Sequence, residues 1–341
     1  MGSSTYSASV FNSTIGAAAA KGVSSFHYDS SVRSGAAPAV VHPDLDPKLV
    51  AGPKSPYAGK VMRESRDSAA HPNSLAISIL FDVTGSVGRG PRVFIEKLGA
   101  LMSLLVKKGY VLDPQILSGA IGDETSDQVP LQIGQFESGN EMDQALAKVY
   151  IEGGGGGQSM ESYELAMYFM ARHTSADCWE KRGQKGYLFI VGDEMYRPKV
   201  SAGAIKRVID PSSTVTEDIP TTTIIEELRE KYEVFWLFPN CSSYYSSDET
   251  AGPLKATFEQ NFLKLEKIEE IAEVIAATIG VAQGFNPKDV VKDLVDAGFD
   301  PKAANRVTTL SATVGTGTLA KKTGTVDGTL IAGGADSVAR L

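Results

Sequence analysis

Residues 75–81, LAISILF, are apolar at almost every position, which predicts a strand buried on both faces. The period then changes. Over 92–108 Val93, Leu98, Leu101, Leu104 and Leu105 form one apolar stripe, predicting an amphipathic helix. QILSGAIGD (115–123) and VPLQIGQFE (129–137) read as two further strands, and NEMDQALAKVY (140–150) as a short helix. A glycine run leads into SMESYELAMYFMARH (159–173), a helix with Leu165, Tyr168 and Phe169 spaced for burial. KGYLFIVGDE (185–194) and EVFWLFP (233–239) are strands on either side of the helix TTTIIEELREKY (221–232). KIEEIAEVIAATIGVAQG (267–284) is a long helix closed by Gly284. Continuous apolar strands alternating with helices predict an α/β fold, doubly wound, with a mostly parallel central sheet flanked by helices. In such folds ligands lie beyond the carboxyl ends of the strands. Asp82, Asp123 and Asp193 each fall at such an end.

The pattern divides the chain into three parts. Residues 1–73 are rich in Ser, Ala, Gly and Pro and predict an extended, irregular arm. It reads as a flexible tail or as a segment ordering on a neighbouring subunit through Val10, Phe11, Phe26 and Tyr28. Residues 74–283 form the α/β body, and 284–341 a helical pair with a Gly/Thr-rich tail. The pair is announced by a small repeat, GFNPK at 284–288 and GFDPK at 298–302, in which Asn or Asp can cap a helix carrying Pro in its first turn. Beyond Val314 the sequence reads as loop, tail or weak hairpin.

Composition narrows the function. A net charge of -8 and a pI near 5.2 argue against nucleic-acid binding. Two cysteines, Cys178 and Cys241, make no disulfide scaffold and suit a reducing compartment. No apolar run reaches the ~18 residues a membrane span requires. Neither a secretory signal nor a myristoylation motif is legible, and Tyr6 stands where the latter wants Ser or Thr. The expectation is a cytoplasmic protein without membrane or nucleic-acid partners.

The chemistry concentrates in DVTGS (82–86). A helix cap, a phosphate cradle and a hard-metal site are the three readings of such a loop. Thr84 stands where a haloacid-type phosphatase needs its second acid, and the run Gly153–Gly157 is followed by Gln158 and Ser159 without a Walker lysine. GQSME lacks the closing glycine of a nucleophile elbow. The four histidines, His27, His42, His71 and His173, are scattered, so a zinc site is not expected. An enzyme is therefore not expected. Alternate Asp82, Thr84 and Ser86 would all face one way from an extended loop, offering oxygen ligands that suit Mg²⁺, with acids from two other strand ends to complete or tune the shell. Turn and cap chemistry without a metal is the competing account. Glu161, near a helix start, reads mainly as a capping acid and secondarily as a residue orienting the loop.

Asp82-Val83-Thr84-Gly85-Ser86 resembles the D-x-S/T-x-S signature of von Willebrand factor A domains, the metal-ion-dependent adhesion site. The resemblance extends to AIGDETSDQVPLQIGQFES, to IEGGGGGQSMESYELA, which is similar to a Gly-rich second motif, and to YLFIVGDE, whose Asp193 matches the third motif. It covers residues 74–283 in the family's order. It implies a non-catalytic, metal-dependent protein-binding module acting as an intracellular scaffold. Asp82, Thr84, Ser86, Ser159 and Asp193 would hold Mg²⁺ (or Mn²⁺ or Ca²⁺), with Gln158, Asp123 and Glu161 in weaker or supporting roles. A partner's acidic side chain would complete the coordination. Gln158 and Ser159 depart from the Thr or Asp usual in the second loop, and an amide oxygen is a poorer Mg²⁺ ligand. By analogy the partner is another protein, a second copy or an AAA-type ATPase. The alternative is a structural subunit that self-assembles through its N-terminal arm and C-terminal tail, with the metal optional.

Overall fold

The computed structural model describes residues 26–85, 87–153 and 160–318, with 6, 7, 9, 10 and 13 of the arm. Phe11, Ser86, Gln158, Ser159 and the tail 319–341 lie outside the described residues. The elements used below are α1 (His27–Arg33), β1 (Ser74–Asp82), α2 (Gly90–Lys107), β2 (Asp113–Ile121), β3 (Leu131–Ile133), α3 (Glu141–Ala147) and α4 (Tyr163–Arg172). They continue with β4 (Gly186–Val191), α5 (Thr221–Lys231), β5 (Tyr232–Pro239), α6 (Asp248–Phe258), β6 (Phe262–Leu265), α7 (Ile271–Ala282), α8 (Pro287–Asp296) and α9 (Pro301–Thr318).

The central sheet has the order β6-β5-β4-β1-β2-β3, parallel except for the antiparallel pairing of β2 with β3. Its fold class is the one the periodicity predicts. β1 and β4 are buried at every residue, as strands flanked on both sides and covered on both faces must be. Strand order reverses beside β1. Connections from β1 run toward β2 and those from β4 run toward β5, so right-handed crossovers place their helices on opposite faces. α7 packs against α2, α8 and α9, while α4 packs against α5. The stripe of α2 is Phe94, Leu98, Leu101 and Leu105 flanked by Ile95 and Met102; Val93 is only half-buried, because it lies about 100° around the helix from Phe94.

Three segments differ from the sequence expectation. VPLQIGQFE keeps only Leu131–Ile133 as strand, with a lone bridge from Glu137 back to Ile116. α9 runs past Val314 to Thr318. The composition change near residue 74 does not coincide with a break in packing. Phe26, Leu45 and Val61 are buried in the same core as the sheet, so Phe26 is engaged by its own chain rather than free for a neighbouring subunit. Arg63–Ser65 pairs in parallel with Thr174–Ala176. Arg63 is fully buried, and among the described residues no carboxylate pairs with its guanidinium. It donates instead to the carbonyls of Gly134 (3.0 Å), Leu49 (2.9 Å), Asp46 (2.7 Å) and Ile133 (3.3 Å). Burial pulls its pKa down to about 10, so it stays charged at neutral pH.

The repeat behaves as cap chemistry. Gly284 and Gly298 take φ of 91° and 94°, closing α7 and α8, and the following Asn286 and Asp300 side chains accept from Lys288 N (2.9 Å) and Ala303 N (2.8 Å). Among the described residues no helix is long and apolar enough to cross a membrane.

Candidate functional site

Register explains why three strand-end acids meet. Asp82 pairs with Ile121, and Phe81 with Val191, so Asp82 ends β1 level with Ile121 and one step beyond Val191. Asp123 and Asp193 each follow two residues after those partners, on strands that flank β1 at the ~4.8 Å inter-strand spacing. All three are buried. They lie at the point where strand order reverses, the usual crevice of a doubly wound sheet.

Two of the acids are held by one device. Asp82 Oδ1 accepts from the backbone N–H and hydroxyl of Thr84, at 2.8 and 2.6 Å. Asp123 Oδ1 accepts from Thr125 in the same way, both at 2.9 Å. Each is a D-x-T turn in which the carboxylate ties down its own loop. Asp82 Oδ2 takes a third bond, 2.5 Å, from the Tyr163 hydroxyl at the start of α4. That hydroxyl fits only because residue 192 is glycine: a Cβ there would collide with it. Trp236 completes the seat, edge-on to Tyr163 at 4.7 Å and donating to the Gly192 carbonyl at 2.9 Å.

Glu161 is not a cap. Met160–Glu161 forms a two-residue parallel bridge with Met195–Tyr196, and α4 begins afterwards at Tyr163 without a side-chain cap bond. The bridge carries the Glu161 carboxyl to the acidic strand ends, where its Oε2 is buried without a hydrogen-bond partner among the described residues. Burial and the neighbouring Asp82, Glu194, Asp123 and Asp127 push its pKa up to about 9. Asp82 is pushed up to about 7 by burial, with Asp193 adding to the rise and its three hydrogen bonds opposing it. Glu194 rises to about 7 through burial and proximity to Asp193 and Asp123. Asp123 goes the other way. Burial would raise it, but the Thr125 bonds and the Arg197 guanidinium hold it below the usual carboxylate range.

Of the residues expected at the site, Asp82, Thr84, Asp123, Glu161 and Asp193 come together; Ser86, Gln158 and Ser159 lie outside the described residues. The sequence reading missed Tyr163, Gly192, Thr125, Glu194 and Arg197. Thr125 had a signal, since Asp123-Glu124-Thr125 repeats the D-x-T of 82–84. Among the described residues no three His, Cys, Asp or Glu side chains stand at metal-ligand spacing. The donors gathered at the site are buried carboxylates and a hydroxyl, including one carboxylate oxygen with no hydrogen-bond donor among the described residues.

Comparison with known proteins finds no matching family model and no matching curated protein. Among solved structures the chain is similar to the pilus adhesin SpaC of Lactobacillus rhamnosus GG in its open conformation, at 8% identity and a TM-score of 0.42, covering 64% of this chain and 31% of SpaC. It is also similar to proximal thread matrix protein 1 of the mussel byssus, at 10% identity and a TM-score of 0.40, covering 60% of this chain and 47% of the mussel protein. The chain thus spans less than half the length of either.

Proposed function

We propose that the acidic end of the sheet is a non-catalytic protein-binding site that works through a divalent cation, Mg²⁺ by preference and Mn²⁺ or Ca²⁺ in its place. Asp82, Thr84 and Asp193, with Ser86 and Ser159, would hold the cation; Asp123, Glu161 and Gln158 would tune it. The cation supplies a Lewis-acidic position that a partner's carboxylate can fill. The chain's own residues do the preparation. Thr84 and Tyr163 fix the Asp82 carboxylate, and Arg197 pairs with Asp123. The supporting observation is Glu161 Oε2, a buried carboxylate oxygen beside other buried acids and without a hydrogen-bond donor among the described residues. Such an oxygen is stable only with a proton or a cation. Calorimetric titration with Mn²⁺ tests the reading. Uptake by wild type that is lost in Asp82→Ala supports it, and no uptake, or equal uptake by the variant, refutes it.

A second reading, a self-assembling scaffold subunit with the cation optional, draws on the arm. Asn140 grips Ser7 in both directions, accepting from its N–H at 3.0 Å and donating to its carbonyl at 3.2 Å. An arm captured through backbone groups is one that another copy could also supply. Light scattering on the full chain and on a chain lacking residues 1–25 decides it, since a strict monomer in both forms excludes assembly.

A further inference from the structure

Three consecutive residues, 162–164, where α4 begins, grip the ends of three different strands. Ser162 holds the loop after β2: its N–H donates to the Gly122 carbonyl at 3.2 Å, and its hydroxyl accepts from Glu124 N at 2.9 Å. Tyr163 holds the end of β1 through its 2.5 Å bond to Asp82 Oδ2. Glu164 holds the loop after β4, where its Oε2 accepts from Arg197 N at 3.1 Å. All three residues are buried. A serine before the first turn of a helix ordinarily turns its oxygen onto that helix. Ser162 makes no such cap bond and offers the oxygen to the neighbouring loop instead.

The loop after β4 is held from behind as well. Thr221 Oγ1 donates to the Arg197 carbonyl at 2.6 Å, and Thr221 N to the Pro198 carbonyl at 2.9 Å. From that fixed backbone the Arg197 guanidinium reaches the Asp123 carboxylate and the Thr125 hydroxyl, the latter at 3.2 Å. β2 and β4 lie on either side of β1, so Arg197 ties together the two loops that flank Asp82. Register sets the height of each strand-end acid. How far the loops lean toward one another depends on bonds between them, and those bonds run through 162–164 and Arg197.

We propose that the first turn of α4 sets the three acidic loops against one another, with Ser162 and Glu164 as positioning residues beside Tyr163. The consequence for cation affinity rests on the cation-site reading above; the linkage of the loops does not. One helix start thereby fixes the relative placement of Asp82, Asp123 and the segment that carries Asp193.

The test uses the full chain with Ser162→Ala, Glu164→Ala and Glu164→Gln, the last keeping an oxygen acceptor for Arg197 N. Amide hydrogen exchange followed by NMR and Mn²⁺ calorimetry are the readouts. The Glu124 amide in Ser162→Ala and the Arg197 amide in Glu164→Ala should each exchange at least about tenfold faster, while β1 and β4 keep their protection. Mn²⁺ affinity should fall about 10–100-fold in both, the usual effect of losing a group that orients a metal site from behind. Glu164→Gln should stay within about threefold of wild type in both readouts. Wild-type exchange at Glu124 and Arg197 in the two alanine variants would overturn the proposal, as would faster exchange with unchanged Mn²⁺ affinity, or a glutamine variant as impaired as the alanine one. Should wild type take up no Mn²⁺, the cation reading falls and exchange alone decides the linkage: lost protection sustains it, retained protection refutes it. Should Glu164→Ala not fold, Ser162→Ala carries the same outcomes at Glu124.

Discussion

Replacing Asp82 by asparagine should make the cation-free protein more stable at pH 8. The Asp82 carboxyl is fully enclosed and is pushed up to about 7, against about 3.9 for an exposed aspartate. A folded-state pKa above the unfolded one means that the native state holds the proton more tightly. The acid's contribution is then fully present below pH 4 and is lost as pH rises through 7. A pKa difference of about 3, at ~1.36 kcal/mol for each step of one, makes this loss about 4 kcal/mol by pH 8, an upper bound because a cluster of like charges relaxes collectively. The neutral amide of Asp82→Asn escapes that loss. It can keep Thr84 on its amide oxygen and turn its NH₂ toward the Tyr163 hydroxyl, so little is forfeited in exchange. At ~2–4 °C per kcal/mol, thermal melts in EDTA at pH 8 should rise by up to roughly 8–16 °C, and the advantage should vanish near pH 4. Adding Mg²⁺ at pH 8 should raise wild type and leave Asp82→Asn unmoved. A variant less stable than wild type at pH 8 would refute the claim that this carboxylate is held against its own charge.

Other substitutions probe the supports. Tyr163→Phe leaves Asp82 Oδ2 without its 2.5 Å donor and should cost about 1–3 kcal/mol in urea denaturation, with weaker cation uptake; an unchanged midpoint would show that water replaces the hydroxyl. Gly192→Ala drives a methyl into the Tyr163 hydroxyl and should destabilise by about 1–3 kcal/mol, whereas the double variant with Tyr163→Phe should cost less than the sum. Arg63→Met removes the donor shared by the Gly134, Leu49 and Asp46 carbonyls and should cost about 3 kcal/mol or more; a loss under about 1 kcal/mol would mean the N-terminal segment is held elsewhere.

What the sequence disclosed and what it hid follow from range. β1, β4, β5, α2 and α7 are legible because each repeats one pattern over six or more residues. β6 is four residues long, and α6 carries Gly252-Pro253 at its middle, so neither offers a period to read. The packing of residues 26–73 rests on single side chains, Phe26, Leu45, Val61 and Arg63, spread across low-complexity sequence. At the site, the strand-end acids could be found because strand ends in a parallel sheet share one edge. Tyr163 and Gly192 could not: their contact depends on the register of α4 against β4, which no local pattern encodes. Glu161 misled for a similar reason, since proximity to a helix start favours a cap reading until its bridge to Met195–Tyr196 is known.

The central claim is that these buried carboxylates form the receiving end of a divalent cation. Crystals grown with MnCl₂ at pH 8 and measured at the manganese absorption edge test it most directly. The account predicts one strong anomalous peak between the Asp82–Thr84 turn and Asp193, about 2.0–2.4 Å from their oxygens. Clear density for the Asp82, Glu161 and Asp193 carboxyls with no anomalous peak among them would contradict it.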